Sequence, residues 1–168
     1  MAVVRPANPE DLPGIFAIYD EHVLAGISTF ETAPKSPEER LDWYRTHRPD
    51  RYPLLVAVDG GSVIGWAGLS QWSARQAYAR TAENSVYVRP DCQGRALGRL
   101  LLRDLIERSE RDTPVRVIVA RIVQPNPASV RLHESQGFAP IGLMRRCGEK
   151  FGRLLDVLLM DRHADGER

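Results

Sequence analysis

Hydrophobic residues recur along the chain at two spacings, which mark the predicted helices and strands. Apolar residues follow a helical spacing from Pro9 to about residue 25, and again from Leu97 to about residue 112. The capping box Ser36-Pro37-Glu38-Glu39 predicts the start of another helix, and Asn126-Pro127 predicts a last helix that Gly137 ends. Apolar and β-branched runs predict strands at residues 3–6, 54–58, 62–69, 81–88, 115–123, 138–143 and 154–160.

The order of these elements predicts the fold class. A strand and two helices come first, and two strand runs joined by the tight turn Asp59-Gly60-Gly61 follow. A further strand, a helix, a strand, a helix and two strands complete the chain. Layered elements in this order predict an α/β sandwich with a mixed sheet. We expect one domain over residues 1–163 and a short polar tail at 164–168.

Charge and composition exclude several classes of function. The 23 basic and 22 acidic side chains give a net charge of +1, so the overall field attracts neither nucleic acid nor an anionic membrane. No apolar run reaches the length of a membrane span, and the first residues lack the basic segment and apolar core typical of a signal peptide. Cys92 and Cys147 are far apart and form no metal-binding pattern with the histidines. We therefore expect a cytoplasmic protein that uses no metal.

A short basic turn joins the strand at 81–88 to the helix that begins at Leu97. Its sequence is Asp91-Cys92-Gln93-Gly94-Arg95-Ala96-Leu97-Gly98-Arg99. A turn of this kind directs free backbone N–H groups outward beside the positive end of a helix dipole, which suits a phosphate or pyrophosphate. The sequence matches neither a dinucleotide fingerprint nor a P-loop. The alternative is a connection in which glycine only gives the chain room to turn.

Three segments in order resemble the GNAT superfamily of N-acetyltransferases. Gln93-Gly94-Arg95-Ala96-Leu97-Gly98 is similar to its pyrophosphate loop, Val86-Tyr87-Val88 to the strand end before that loop, and 126–138 to its later block. The resemblance implies a mostly antiparallel central sheet with helices on both faces, and acetyl-CoA as co-substrate. Ala96 departs from the pattern, because the family usually has glycine there. The implied cofactor-binding residues are Val86, Tyr87, Val88, Gln93, Gly94, Arg95, Ala96, Leu97, Gly98, Arg99, Asn126 and Ser129.

Within the superfamily the chain most closely resembles the phosphinothricin and methionine sulfoximine N-acetyltransferases. The segments that carry this resemblance are 28–32, 72–78, 81–88 and 148–153. It implies acetylation of the α-amino group of a small amino acid or analogue, by direct attack in a ternary complex, and a homodimer. The subfamily usually has tryptophan or histidine near Leu154-Leu155, and their absence leaves the acceptor open.

The resemblance assigns two candidate catalytic residues. Glu83 lies on the central strand, where a carboxylate can accept the proton of the attacking amine; the alternative is an ordinary ion pair with Arg75 or Arg80. His133 stands where many superfamily members have a tyrosine that protonates the coenzyme A thiolate. Histidine can fill that role, although a packed histidine with water as the acid is the alternative.

The acceptor side rests on fewer residues. Arg75 can pair with a substrate carboxylate, and Phe30, Trp72 and Tyr78 can form the walls of a small pocket or simply belong to the core. Two other functions stay open: acetylation of a peptide N-terminus or polyamine, and a non-catalytic acetyl-CoA-binding module. The predicted substrate-binding residues are Phe30, Ser73, Ala74, Arg75, Tyr78 and Glu83.

Overall fold

The computed structural model describes residues 2–164, and in them seven strands form one sheet. The strand order is β1-β2-β3-β4-β5-β7-β6. The pairing of β4 with β5 is parallel and the other five pairings are antiparallel. The sheet is therefore mixed and mostly antiparallel, as predicted. The strands are β1 (Val3–Pro6), β2 (Leu54–Asp59), β3 (Ser62–Gln71), β4 (Thr81–Val88), β5 (Val117–Val123), β6 (Ala139–Lys150) and β7 (Arg153–His163).

Four α-helices in the described part of the chain cover the two faces of the sheet. Their bounds are α1 (Leu12–Ala25), α2 (Pro37–Thr46), α3 (Leu97–Asp112) and α4 (Pro127–Glu134). Helices α1 and α2 pack on one face with Trp66 of β3, and α3 packs on the other face with Leu69 and Ala82. The prediction of helices on both faces is confirmed. No helix within residues 2–164 is long and apolar enough to cross a bilayer.

Local sequence signals explain where the helices begin. The Ser36 hydroxyl accepts from the Glu39 N–H, and the Glu39 carboxylate accepts from the Ser36 N–H, as the capping box predicts. At α4, the Asn126 side chain accepts from the Ser129 N–H. The predicted first helix instead opens with a 3₁₀ turn at Pro9–Asp11 before α1.

The last two strands are longer than predicted. The sequence predicts strands at 138–143 and 154–160, whereas β6 and β7 form a hairpin that turns at Phe151 and Gly152. A register shift between Met144 and Gly148 breaks the alternation along β6, which hides the strand from a period-two pattern. The predicted tail, apart from Ala164, lies outside the described residues.

Strands β4 and β5 diverge in the middle of the sheet. Their pairing is limited to three positions and ends at Glu83 and Val119. Beyond this point β4 stays paired with β3 as far as Val88, and β5 stays paired with β7 as far as Val123. A gap therefore opens between two strands that are each held on their outer side.

The turn before α3 places a residue with a side chain in a left-handed conformation. Ala96 has φ 57° and ψ 12° and is the N-cap of α3. Gly94 nearby has φ 76°. Residues with a side chain rarely adopt this left-handed conformation, which costs an alanine about 1–2 kcal/mol.

We expect Ala96→Gly to raise the free energy of unfolding by up to about 1 kcal/mol, because relief of the left-handed strain outweighs the entropy cost of glycine of about 0.5–1 kcal/mol. We expect Ala96→Val to lower it by at least about 1 kcal/mol, since β-branched residues rarely have positive φ. Urea unfolding measures both. Ala17→Gly, at an exposed position inside α1, should destabilise instead, and equal effects at positions 17 and 96 would contradict the interpretation.

Candidate active site

A large cleft occupies the gap between β4 and β5. Its volume is about 1180 Å³, above the roughly 300–1,000 Å³ usual for small-ligand sites. It therefore has room for an extended ligand and a second molecule. Residues from both faces of the sheet line it, so we describe a donor half beside α3 and α4 and an acceptor half beside the α1–α2 connection.

The donor half contains the basic turn and the first residues of α3. Gln93, Gly94, Ala96, Leu97, Gly98 and Arg99 line the cleft there. Arg95 is exposed and is not among the lining residues. Positive φ at Gly94 and Ala96, followed at once by the N-terminus of a 16-residue helix, brings backbone N–H groups toward one point. This geometry fits the pyrophosphate of a coenzyme.

The end of β4 supplies backbone groups to the gap. The N–H of Arg89, just after β4, donates to the carbonyl of Ile64 on the β3 side. Successive residues of a strand point their backbone groups to opposite sides, so Val86 and Val88 direct theirs toward the gap. Both residues line the cleft, as does Tyr87. Unpaired N–H groups of this kind can bind a polarised carbonyl oxygen.

His133 is held by its neighbours on the donor face. Its Nδ1–H donates to the Ser129 carbonyl at 2.8 Å, and its Nε2 accepts from the Asn84 amide at 3.0 Å. The residue is only 5% exposed, and burial lowers the pKa of its ring. His133, Asn126 and Ser129 all line the cleft. The neutral ring thus has both nitrogens engaged.

Glu83 lies on the acceptor face, where the strands separate. Its carboxylate accepts from Nε and Nη2 of Arg121 on β5, each at 2.6 Å. The alternative that the sequence left open, an ordinary ion pair of Glu83 with Arg75 or Arg80, is not the pair that forms, because the partner is Arg121. The pair depends on the parallel register of β4 and β5, in which Glu83 lies opposite Val119, and no local pattern reveals that register.

The Glu83–Arg121 pair lies at the surface of the acceptor half. The Glu83 side chain is 15% exposed and that of Arg121 is 54% exposed. The guanidinium lies 5.9 Å from the ring centre of Trp72. The Glu83 carboxylate raises the pKa of Arg121, which stays a cation at any working pH.

A buried lysine holds the connection that forms the opposite wall. The ammonium of Lys150 at the end of β6 donates to the carbonyls of Thr29 and His22, and burial lowers its pKa. A side chain at Gly148 would overlap the ring of Phe30. These contacts seat Phe30 against β6, and Phe30 lines the cleft.

Four of the six predicted substrate-binding residues lie outside the cleft. Ser73, Ala74, Arg75 and Tyr78 are not among the residues that line the cleft. The Ser73 hydroxyl accepts from the Arg75 N–H within their own turn, and Tyr78 is 44% exposed. Trp72 approaches the site only through Arg121.

Several lining residues were missed by the sequence analysis. Arg121 could have been found, because it is the only charged residue in the otherwise apolar strand β5. Tyr19, whose hydroxyl bonds with that of Thr29 at 2.8 Å, and His22, whose Nδ1 bonds with the Ser28 hydroxyl, carry no local signal. Others are Glu31, Ser70, Asn84, Ser85, Met144 and Cys147.

No group of three His, Cys, Asp or Glu side chains within residues 2–164 is arranged to hold a metal ion.

Comparisons with known proteins agree with this geometry. The model of the acetyltransferase (GNAT) family matches residues 14–138. The L-methionine sulfoximine/L-methionine sulfone acetyltransferase of Pseudomonas aeruginosa is 40% identical, over 99% of this chain and 97% of its own length. The phosphinothricin N-acetyltransferase of Streptomyces coelicolor is 41% identical, over 95% and 94% respectively.

Solved structures show the same fold with the co-substrate bound. The yncA protein of Salmonella typhimurium, with acetyl-CoA, superposes with a TM-score of 0.94 at 36% identity, covering 100% of this chain and 96% of that one. A GNAT superfamily phosphinothricin acetyltransferase from Sinorhizobium meliloti, in complex with acetyl-CoA, has a TM-score of 0.90 at 38% identity, covering 96% and 88%. The chain therefore belongs to the GNAT family and is an acetyl-CoA-dependent N-acetyltransferase.

Proposed function

We propose that the acceptor is the α-amino group of a small amino acid or analogue of the phosphinothricin, methionine sulfoximine or methionine sulfone type. The observation that carries the proposal is the Glu83 carboxylate, on the acceptor face where β4 and β5 separate. Relatives about 40% identical over nearly the whole chain act on such compounds. An L-amino acid N-acyltransferase from Escherichia coli, 37% identical, acts on the same general class.

The proposed mechanism is direct attack within a ternary complex. Glu83 takes a proton from the ammonium of the acceptor, directly or through water. The freed nitrogen forms a bond to the thioester carbon, and N–H groups of Val86 and Val88 bind the oxygen that becomes negative. When the carbon–sulfur bond breaks, the sulfur leaves as a thiolate and takes up one proton. Because the nitrogen attacks the thioester itself, no acetylated enzyme forms.

We propose that the donor half binds coenzyme A through the turn at 93–99 and through Asn126 and Ser129. The helix dipole and the N–H groups of the turn stabilise the pyrophosphate. Arg95 and Arg99 add positive charge around it. Asn126, which caps α4 through the Ser129 N–H, lies where the pantetheine arm passes in the proposed complex.

Glu83→Gln is expected to lower kcat for amino-acid acetylation by about 10²–10⁴, because the amide cannot accept the ammonium proton. Binding of acetyl-CoA should change little. The rate of coenzyme A release measures kcat. The acceptors to compare are free amino acids, phosphinothricin, methionine sulfoximine, methionine sulfone, a peptide and a polyamine. Calorimetry measures the binding of acetyl-CoA. Turnover of the peptide or polyamine alone would contradict the acceptor class, and full activity of the variant would remove Glu83 as base.

Two proton sources for the thiolate stay open, His133 and water. A histidine acid must carry its proton on a nitrogen that faces the thiolate. In the structure Nδ1–H donates to a backbone carbonyl and Nε2 accepts from Asn84, and this arrangement supports water as the proton source.

The buried neutral state of His133 predicts a pH-dependent stability. Its folded pKa is below the unfolded value near 6.5. As pH falls below that value, His133 binds a proton in the unfolded chain but stays neutral in the folded chain. The contribution of His133 to the free energy of unfolding, fully present above about pH 6.5, is therefore lost as pH falls. Burial lowers the pKa values of His22 and His47 in the same direction.

We expect the free energy of unfolding of the parent to fall between pH 7.5 and pH 5.5, by on the order of 1 kcal/mol for each such histidine. His133→Gln should be less stable at pH 7.5, yet lose less stability over this interval because one titrating group is gone. Urea titrations at both pH values measure the difference. An equal loss in the two proteins would show that His133 is not held neutral.

We propose that the protein is a homodimer in which β6 contributes to the interface. Strand β6 is at the edge of the sheet, and its Ile141, Leu143 and Met144 are about half exposed. A long edge strand with exposed apolar side chains favours association. Since β6 also supports Phe30 at the acceptor wall, association would stabilise that wall.

Light scattering after gel filtration should give twice the 18.9 kDa mass of the chain at micromolar concentration. The double change Ile141→Glu with Leu143→Glu should give a monomer, because charges cannot be buried there without partners. Arg45→Ala, at an exposed ion pair on α2, is the matched control and should remain dimeric. A monomeric parent would contradict the proposal.

A further inference from the structure

The acceptor half contains an arginine that the proposed mechanism does not use. Among the described residues that line the cleft, the arginines and lysines are Arg99 and Arg121. Arg99 lies on the donor face, at the start of α3. Arg121 lies on the acceptor face beside Glu83. Arg75, which the sequence suggests for a substrate carboxylate, does not line the cleft.

Arg121 has hydrogen-bonding capacity left after it binds Glu83. A guanidinium carries five N–H donors, and Glu83 accepts one from Nε and one from Nη2. Within residues 2–164, Nη1 of Arg121 makes no hydrogen bond. The half-exposed guanidinium can therefore accept a second carboxylate without releasing the first.

The pair presents adjacent opposite charges to the cleft. An amino acid carries an ammonium and a carboxylate on one carbon atom. Its two charges complement those of the pair when its ammonium binds Glu83 and its carboxylate binds Arg121. Planar guanidinium groups bind carboxylates with defined geometry, and Trp72 lies against the guanidinium. The amine is then held next to the base that deprotonates it.

From this arrangement we propose that Arg121 binds the α-carboxylate of the acceptor and makes the enzyme selective for free amino acids over amines that lack this carboxylate. This inference rests on the proposed amino-acid acceptor and specifies how it is recognised. Arg121 is a specificity-determining residue, and Glu83 remains the proton acceptor.

The test compares an amino acid with its carboxamide and its decarboxylated amine. The amino acid is the one with the highest kcat/KM in the panel. A charged hydrogen bond of the usual strength corresponds to about a 10- to 100-fold preference for the acid in kcat/KM. In Arg121→Ala the ratio of kcat/KM for the acid to kcat/KM for the carboxamide should fall to about one, mainly through a higher KM for the acid. Arg121→Lys keeps the positive charge but lacks the planar guanidinium, so its preference for the acid should lie between that of the parent and that of Arg121→Ala.

Two further measurements keep the outcomes distinct. Calorimetric titration of the amino acid into protein saturated with coenzyme A should show weaker binding for Arg121→Ala than for the parent and for Arg45→Ala. Titration with acetyl-CoA should be unchanged and shows that the variant is folded.

Equal loss with acid and carboxamide, or a retained preference for the acid in Arg121→Ala, would overturn the inference. If the parent acetylates the carboxamide and amine as well as the acid, the carboxylate role fails while N-acetylation stands. If the parent acetylates none of the amino acids, the proposed acceptor fails and the role of Arg121 fails with it.

Discussion

The early end of the pairing between β4 and β5 is the constraint on which the site depends. Each strand loses its partner after Glu83 and Val119, and unpaired backbone groups are costly unless water or a ligand satisfies them. The antiparallel pairing of β4 with β3 and of β5 with β7 holds the two strands apart, although their backbone groups that face the gap have no strand partner. The same feature opens the cleft, frees the backbone of Val86 and Val88, and allows access from both faces of the sheet.

Alternation along β4 then assigns the side chains to the two halves of the cleft. Asn84 faces α4 and bonds to His133, Val86 and Val88 pack toward α3, and Tyr87 packs on Trp66 beneath α1. Glu83 joins Arg121 on that second face. A shift of one residue in register would exchange the two sets, so the straight β3–β4 pairing maintains the chemistry as well as the fold.

The sequence predicted the features that depend on neighbouring residues. Residues only a few positions apart in the sequence determine the capping box at Ser36, the hairpin at Gly60-Gly61, the cap at Asn126 and the turn before α3. The resemblance added the sheet type and the co-substrate. Other features depend on the tertiary structure and could not be predicted from neighbouring residues. They are the Glu83–Arg121 pair, the contact of Lys150 with the α1–α2 connection and the position of Arg75 outside the cleft. The extent of β6 was missed because a bulge interrupts its alternation.

The two halves of the cleft draw on different parts of the chain. The donor half comes mainly from the contiguous stretch 86–99 and from α4, whereas the acceptor half collects residues from the α1–α2 connection, β5 and β6. Substitutions in the second group can accumulate without altering the first. A change of amine substrate therefore need not disturb the residues that bind the acyl donor.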